Sequence, residues 1–442
     1  MTELTWGERI ARDKRRVVIL DDDPTGTQTV SGVAVILRPN RDAYRAFFGS
    51  EARAAFVLTN TRAMPEPEAR ALVRHIRREV EEAAAKAGAE TAFLLRGDST
   101  LRGHIFAEID EMSDRDSSVS LFVPAFPEGG RTTVGGVHYL RQGDTRVPVC
   151  RTEFAADPVF GYDSERLEDW AREAPHGRQA ILVPLAALRE IGEQAIAEAL
   201  INAPDGSVVI PDAETREDLE SIASGLLAAE ERGRRIVVRC ASTFAAIRAG
   251  LTGRAAAPRI TAARLLIVCG SHTAASTEQL RKLSERTVPP IIVPVAGVLG
   301  TERERGEIVA KLTVKVKERI AAGGLAILAT ERERDAGHGD LRTGARVMRV
   351  LTDIVSNVAG DVDGVISKGG ITSAQVATDG LGADSAFVYG QLAPGVSLWE
   401  LAVSGGKTLP YAVVPGNVGG SETIVDVVRQ FGVGREESEA GQ

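Results

Sequence analysis

Short apolar runs alternate with amphipathic stretches along almost the whole chain. Runs at 16–20, 33–37, 55–59, 92–95 and 120–123 predict early strands, and runs at 181–185, 207–211 and 235–239 predict later ones. After Pro65, residues 66–87 predict a long amphipathic helix with Ala69, Leu72, Val73, Ile76, Val80 and Ala83 on one face. Around Pro258 the chain turns rich in Gly, Ala and Arg, and the rhythm then restarts at 265–269. Further strands are predicted at 291–295, 325–329, 364–368, 386–389 and 411–415. Strand alternating with helix predicts an α/β fold with largely parallel sheets flanked by helices. A chain of 442 residues is too long for one ordinary core, so two domains are expected, 1–255 and 262–442.

Composition narrows the class. Hydrophobic content of 43% and charged content of 26% suit a soluble globular protein. A net charge of -8 disfavours nucleic-acid and anionic-membrane partners. The N-terminus has no apolar core of a signal peptide, and no apolar run approaches the ~20 residues of a membrane span, so a cytoplasmic location is expected. Cys150, Cys240 and Cys269 are odd in number and far apart, which suits free thiols in a reducing compartment.

Polar clusters sit where the predicted strands end. The first is DDDPTGTQT, opening with Asp21, Asp22 and Asp23. Three adjacent carboxylates repel unless a cation, an arginine or a sugar hydroxyl joins them. A solvated acidic turn is the plain alternative, and Thr25, Thr27, Gln28 and Thr29 weigh toward a polyol. The second cluster holds Arg96, Asp98, Ser99, Thr100 and Arg102. Asp98 and Ser99 could simply cap a helix starting near Leu101, but capping leaves the flanking arginines unexplained. Arg62, just after the strand predicted to end at Thr59, is a third arginine at a strand end and by itself reads as a surface residue. Residues 124–136, PAFPEGGRTTVGG, read as a loop in which Arg131 and Thr132 could touch ligand. Together these strand ends suggest a site for a small, anionic, hydroxylated molecule.

The second half offers three Gly/Ser/Thr turns after strands, at 269–277, 367–375 and 414–423. Peptide N–H groups at such turns cradle phosphate oxygens, so a nucleotide site is the leading reading there. Two familiar motifs are absent. SGGKT at 404–408 lacks the first glycine of a P-loop, because position 401 is Leu401. GLGADS and GVGREE both fail the last glycine of the dinucleotide fingerprint. Six histidines without a paired zinc motif make a permanent zinc site unexpected; His104 and His272 lie within the candidate loops and could touch ligand, with cap or surface roles the plainer reading.

In order along the chain, these motifs resemble the four-carbon acid sugar kinase family. The matching segments are Asp22–Gly26, the DSTLRG segment with Arg96, and PAFP with Gly130 and Arg131. In the second half they are Ser271 with Thr277 and Gln279, the turn 369–372, and the turn 416–420. Two segments depart from the commoner family pattern: DDDPTGTQT stands for DD-aromatic-TGA, and KGGIT for TGGET. The resemblance implies a sugar-acid domain followed by an ATP domain, with the active site in the cleft between them. It implies ATP-dependent, Mg²⁺-assisted phosphorylation of a terminal hydroxyl on a short sugar acid such as a tetronate, threonate, or oxo or branched sugar acid. Asp22 and Asp23 would hold sugar hydroxyls, with either able to serve as base. Asp98 and Ser99 would orient the reacting hydroxyl, and Asp23 and Asp98 are the expected catalytic residues. Arg62, Arg102 and Arg131 would bind the carboxylate. Ser271, Gly369, Gly370, Ile371, Thr372, Gly416, Asn417, Gly419 and Gly420 would hold ATP. Metal ligands and oligomeric state stay open, a homo-oligomer included. A non-catalytic sugar-acid-binding protein and an NAD-dependent sugar-acid oxidoreductase are the rival readings.

Overall fold

The computed structural model describes residues 6–22, 24–112, 115–251, 257–258, 260–331, 341–403 and 407–432. Asp23, residues 404–406 of the SGGKT segment and the polar tail from 433, which was expected to fray, lie outside them. The chain divides into two compact units. The first comprises Met1–Thr29 and Pro39–Gly253, the second Val30–Arg38 and Arg254–Gln442.

In chain order the strands are β1 (Arg16–Asp21), β2 (Val33–Ile36), β3 (Ala54–Leu58), β4 (Thr91–Arg96), β5 (Val119–Val123) and β6 (Arg131–Val134). Next come β7 (Val137–Gln142), β8 (Thr145–Pro148), β9 (Ala180–Val183), β10 (Val208–Pro211), β11 (Ile236–Cys240) and β12 (Leu265–Cys269). The last are β13 (Ile291–Val293), β14 (Leu325–Thr330), β15 (Gly364–Lys368), β16 (Ser385–Ala393), β17 (Val396–Val403) and β18 (Lys407–Val414).

The first unit's main sheet runs β3-β1-β4-β11-β5-β10-β9, with every neighbour parallel. Helices must carry the chain back between parallel strands, and the one from Glu66 to Ala87 matches its predicted span. Its Ala69, Val73, Ile76, Val80 and Ala83 are buried, while the half-buried Leu72 sits at the margin of the stripe. Gly88 ends it in the left-handed region at φ 64°, donating to the Ala84 and Ala85 carbonyls. From β1 the chain crosses first to β3 on one side and then to β4 on the other. The carboxyl ends of β1 and β4 therefore flank the point where the winding reverses, the place where open α/β sheets bind ligands.

The second unit repeats the device. Strands β13-β14-β12-β15-β18 are parallel, and the winding reverses between β12 and β15. Strands β18-β17-β16-β2 continue the sheet antiparallel. Residues 1–255 were read as one run of chain, but β2 pairs antiparallel with β16 and Val30–Arg38 groups with the second unit. A four-residue strand carries no mark of which sheet edge it will join.

Residues 124–136 were read as an irregular loop, and part of that reading is corrected. Arg131–Val134 is a strand, turning through Gly135 and Gly136 (φ 61° and 74°) into β7, and β8 completes a small antiparallel sheet. A Gly-Gly pair between β-branched runs is a hairpin signal, and the Asp212 carboxylate accepts from both glycine amides.

Candidate active site

Two carboxylates and two guanidiniums meet beneath the end of β1. Arg96, the last residue of β4, donates to Asp21 Oδ1 at 2.9 Å and to Thr25 Oγ1 at 3.0 Å, and lies 3.7 Å from Asp22 Oδ1. Arg239, on β11, donates to Asp22 Oδ2 at 3.0 Å and pairs with Glu108. All five charged groups are buried, and the acids outnumber the arginines by one. Burial pushes Asp21 up to about 7, with Arg96 pulling it down and the like charge of Asp22 adding to the rise. Asp22 Oδ1 is buried and accepts no hydrogen bond among the described residues, so it is an acceptor waiting for a donor. Gly97 is required here by close approach, since a Cβ on it would stand 2.1 Å from the Arg239 guanidinium.

The DSTLRG segment folds over this network. The Asp98 amide approaches Asp22 Oδ2 at 3.4 Å, which brings the two acidic clusters together. The Asp98 carboxylate receives Arg102 Nε at 2.8 Å and the Thr100 hydroxyl, with Arg62 at 3.6 Å. Burial opposes its charge, but the Arg102 and Arg62 guanidiniums and the hydrogen bonds outweigh it, holding the carboxyl well below its usual range. Such a carboxylate is a poor proton acceptor and a good fixed acceptor for a hydroxyl. Its alternative role, capping a helix near Leu101, does not occur: the helix starts at Ile105. Leu101 instead adopts φ 65°, a strained conformation for a branched side chain, held by its buried surroundings.

The small sheet backs the segment. His138 on β7 reaches the Ser99 carbonyl at 2.8 Å through Nε2 and the Thr133 hydroxyl at 2.9 Å through Nδ1. Burial pushes this imidazole down to about 4, so it stays neutral, donating to Ser99 and accepting from Thr133. Tyr162 donates to the Thr100 carbonyl at 2.9 Å.

The arginines expected to share one duty divide it. Arg102 is committed to Asp98, lies 3.5 Å from Asp157 and stacks over Phe154. Arg62 follows β3 in a short 3₁₀ turn beside Asp98, well inside the surface on which it was placed by its isolated position in the sequence. Arg131 is 3% exposed, and the one hydrogen bond of its guanidinium among the described residues goes to the Gly129 carbonyl at 2.5 Å. No carboxylate lies within ion-pair distance of it among the described residues. Burial lowers it to about 10, with the Asp98 charge partly restoring it. It is a desolvated cation whose charge no carboxylate among the described residues pairs with.

In the second unit the three turns converge. The Ser276 hydroxyl donates to Ser271 Oγ at 2.8 Å, and the Thr273 hydroxyl donates to the Gly416 carbonyl at 2.6 Å. The Gly369 amide donates to the Val414 carbonyl at 2.8 Å. A Cβ on Gly416 would stand 2.6 Å from Ser271 Oγ, so a larger residue there would displace that hydroxyl from the meeting point of the turns. Gly370, Ile371 and buried Thr372 open the short helix Gly370–Gln375, while Asn417, Gly419 and Gly420 lie on the last turn. Three sets of polar peptide edges thus meet at the reversal point of this sheet, as phosphate binding needs.

Two family models cover these units: a sugar-binding N-terminal domain over residues 17–248 and a nucleotide-binding C-terminal domain over residues 266–424. The chain belongs to the four-carbon acid sugar kinase family. The family includes a D-erythronate kinase of Heliobacterium modesticaldum, 28% identical, with 93% of this chain and 96% of the relative covered. A D-threonate kinase of Bordetella bronchiseptica is 27% identical with 85% of each chain covered, and a 3-oxo-tetronate kinase of Methylobacterium radiotolerans is 27% identical over 84% of this chain and 88% of the relative. Among solved structures, a Salmonella typhimurium LT2 protein described as a candidate tRNA synthase superposes with TM-score 0.67 at 18% identity, covering 94% of this chain and 99% of that one. A Haemophilus influenzae protein gives TM-score 0.58 at 17% identity, covering 94% and 100%. Both likenesses concern the fold alone.

Several residues of this family member escaped sequence reasoning. Arg239 and Glu108 complete the ionic network from β11 and from the helix Ile105–Met112. Their signal was a charge inside an apolar run, IVVRC, which a buried strand tolerates only when paired. His138 and Tyr162 lay in segments left without an assignment. Lys368 ended a strand whose turn, not whose last residue, drew attention.

Proposed function

We propose that this protein is an ATP-dependent kinase that phosphorylates a terminal hydroxyl of a four-carbon or closely related sugar acid in carbohydrate catabolism. The observation that carries the reading is Arg131, a buried guanidinium without a carboxylate partner among the described residues, acted on by the charge of the hydroxyl-orienting Asp98. A substrate carrying both a carboxylate and hydroxyls satisfies Arg131, the idle Asp22 Oδ1 and Asp98 together. The names of the three relatives, all kinases of four-carbon acids, support the same class.

In this reading Arg131, with Arg62 and Arg102 beside it, anchors the carboxylate. Asp98 and Ser99 orient the reacting hydroxyl, and Asp22 Oδ1 accepts from a second one. The hydroxyl oxygen bonds to the γ-phosphorus, the bond to the ADP oxygen breaks, and the hydroxyl proton leaves to a carboxylate of the Asp22–Asp23 pair. Asp98, held in its charged form, positions rather than accepts. The Ser271, 369–372 and 416–420 turns hold the nucleotide through peptide amides. Mg²⁺ bound with ATP would supply charge neutralisation on the phosphates; among the described residues no group of three or more His, Cys, Asp or Glu that could hold a metal ion is assembled, so the ion would take most of its ligands from phosphate and water. A cytoplasmic location belongs to the same reading, and among the described residues no helix is long and apolar enough to cross a membrane.

The test is Mg²⁺-dependent ADP release over a panel of C4 to C6 sugar acids and their neutral alcohols. Turnover with acids and little with alcohols is expected. Equal turnover with both overturns carboxylate recognition, and sugar-acid binding without ADP release would favour a binding protein.

A further inference from the structure

Strand β15 ends in Lys368, which is 0% exposed and stands in register between Cys269 of β12 and Val414 of β18. A buried ammonium must find acceptors. Among the described residues no carboxylate lies within ion-pair distance of it. Its Nζ donates instead to the Pro415 carbonyl at 2.6 Å and, at the limit of a hydrogen bond, to the Val418 carbonyl at 3.5 Å. Other side chains take the remaining carbonyls of the same turn. Gln279 Nε2 donates to Val418 and Gly419 at 3.1 and 3.2 Å. The Thr273 hydroxyl donates to Gly416 at 2.6 Å.

A trans peptide points its C=O and its N–H in opposite directions, and the described residues contain no cis bond. Drawing the carbonyls of residues 415, 416, 418 and 419 inward therefore turns the amides of Gly416, Asn417, Gly419 and Gly420 outward. None of those amides donates a hydrogen bond among the described residues. We infer that Lys368 is a positioning residue that holds the 415–419 turn from behind, so that its outward amides grip a phosphate group of the nucleotide. The inference rests on the proposed function, which makes this turn a nucleotide site. The ammonium also places a positive charge behind the amides, where it favours an anion in front of them.

The charge is titratable. Burial lowers Lys368 to about 8, and the thiol of Cys269 is the titratable group that acts on it. Below that pH the ammonium donates to the turn. As pH rises through it, the charge is lost and the amide cradle loosens.

The experiment measures Mg-ATP affinity calorimetrically on the full chain from about pH 7 to about pH 9.5, with steady-state kinetics alongside. In wild type the affinity should fall as pH passes about 8. Lys368→Met should weaken ATP about tenfold or more at pH 7, the lower range for a lost charge-assisted hydrogen bond, and flatten the profile. KM for the sugar acid should stay within about twofold. Wild-type ATP affinity in a folded Met variant overturns the inference and leaves the proposed function standing. Wild-type protein with no ATP affinity at all overturns the nucleotide reading, and this one with it. Should Lys368→Met fail to fold, the wild-type profile decides: constant affinity over the range, or a profile abolished by Cys269→Ala, overturns the role of Lys368.

Discussion

Both units place their candidate chemistry at the same topological position, the carboxyl edge where the winding of a parallel sheet reverses, yet they furnish it with different material. The first unit uses charged side chains: Asp21, Asp22, Glu108, Arg96 and Arg239 beneath, Asp98, Arg62, Arg102 and Arg131 above. The second uses peptide groups, drawn into place by hydroxyls, one glutamine and one lysine. The difference follows from what each is proposed to hold. A small acid with several hydroxyls must be told from its stereoisomers, which takes side chains of fixed direction. Phosphate oxygens are alike, and a ring of amides binds them without choosing. Buried charges stand only as a mutually satisfied set, so the first site should be brittle and the second forgiving.

The largest effect should come from breaking the ionic set. Arg239→Leu leaves Asp22 and Glu108 buried against less positive charge, and about 3–5 kcal/mol of stability should go. Denaturant unfolding checks it, and a change under about 1 kcal/mol would mean that the network is not mutually dependent. Next comes Asp98→Asn, which keeps shape and loses charge. It should lower kcat by about 10²-fold or more with ATP affinity unchanged. Near wild-type kcat in a folded variant would remove Asp98 from the chemistry.

Arg131→Lys sharpens the division among the arginines. It should raise KM for the acid about 10- to 150-fold with little change for ATP, because Lys cannot offer the two-pronged fork. Arg102→Lys should act more on kcat, since Arg102 holds Asp98 rather than facing open space. Identical profiles for the two variants would erase that distinction. In the second unit, Gly416→Ala puts a Cβ 2.6 Å from Ser271 Oγ and should weaken ATP about tenfold with a small loss of stability, since a hydroxyl can rotate away. Loss of folding instead would contradict the forgiving character of this site.

The smallest effect is a slope. Asp21 has a folded pKa raised to about 7, above its unfolded value. Its contribution to stability is therefore complete below the unfolded pKa and is lost as pH rises through about 7. Asp21→Asn, fixed in the neutral form, should reduce the fall in melting temperature between about pH 4 and about pH 8. An unchanged slope would mean that Asp21 is not the carboxyl that titrates in this range.

Much of the scaffold was legible. The strands at 265–269 and 364–368 and the helix at 66–87 appear with the bounds the sequence predicts; a short apolar run bounded by polar turn residues and a long amphipathic run each have one stable use. Strand β17, Val396–Val403, was missed. It mixes Ser, Trp and Glu with apolar residues, and only its pairing with β16 and β18 makes it a strand. The acidic and DSTLRG clusters were legible as polar residues at strand ends, while Arg239 was hidden inside a strand.

By itself the sequence determined most of the buried parallel strands, which polar clusters would end them, and that the chain would form two α/β units. Those properties are local, set by side-chain polarity and the periods of helix and strand. Tertiary structure alone decided that β2 leaves its neighbours for the second unit, that Arg239, paired with Glu108, reaches Asp22, that Arg131 rather than Arg102 is left without a carboxylate among the described residues, and that Lys368 draws the carbonyls of a distant turn inward. Each of these joins residues tens to hundreds of positions apart, and whether a buried charge is satisfied depends on partners that no local pattern announces.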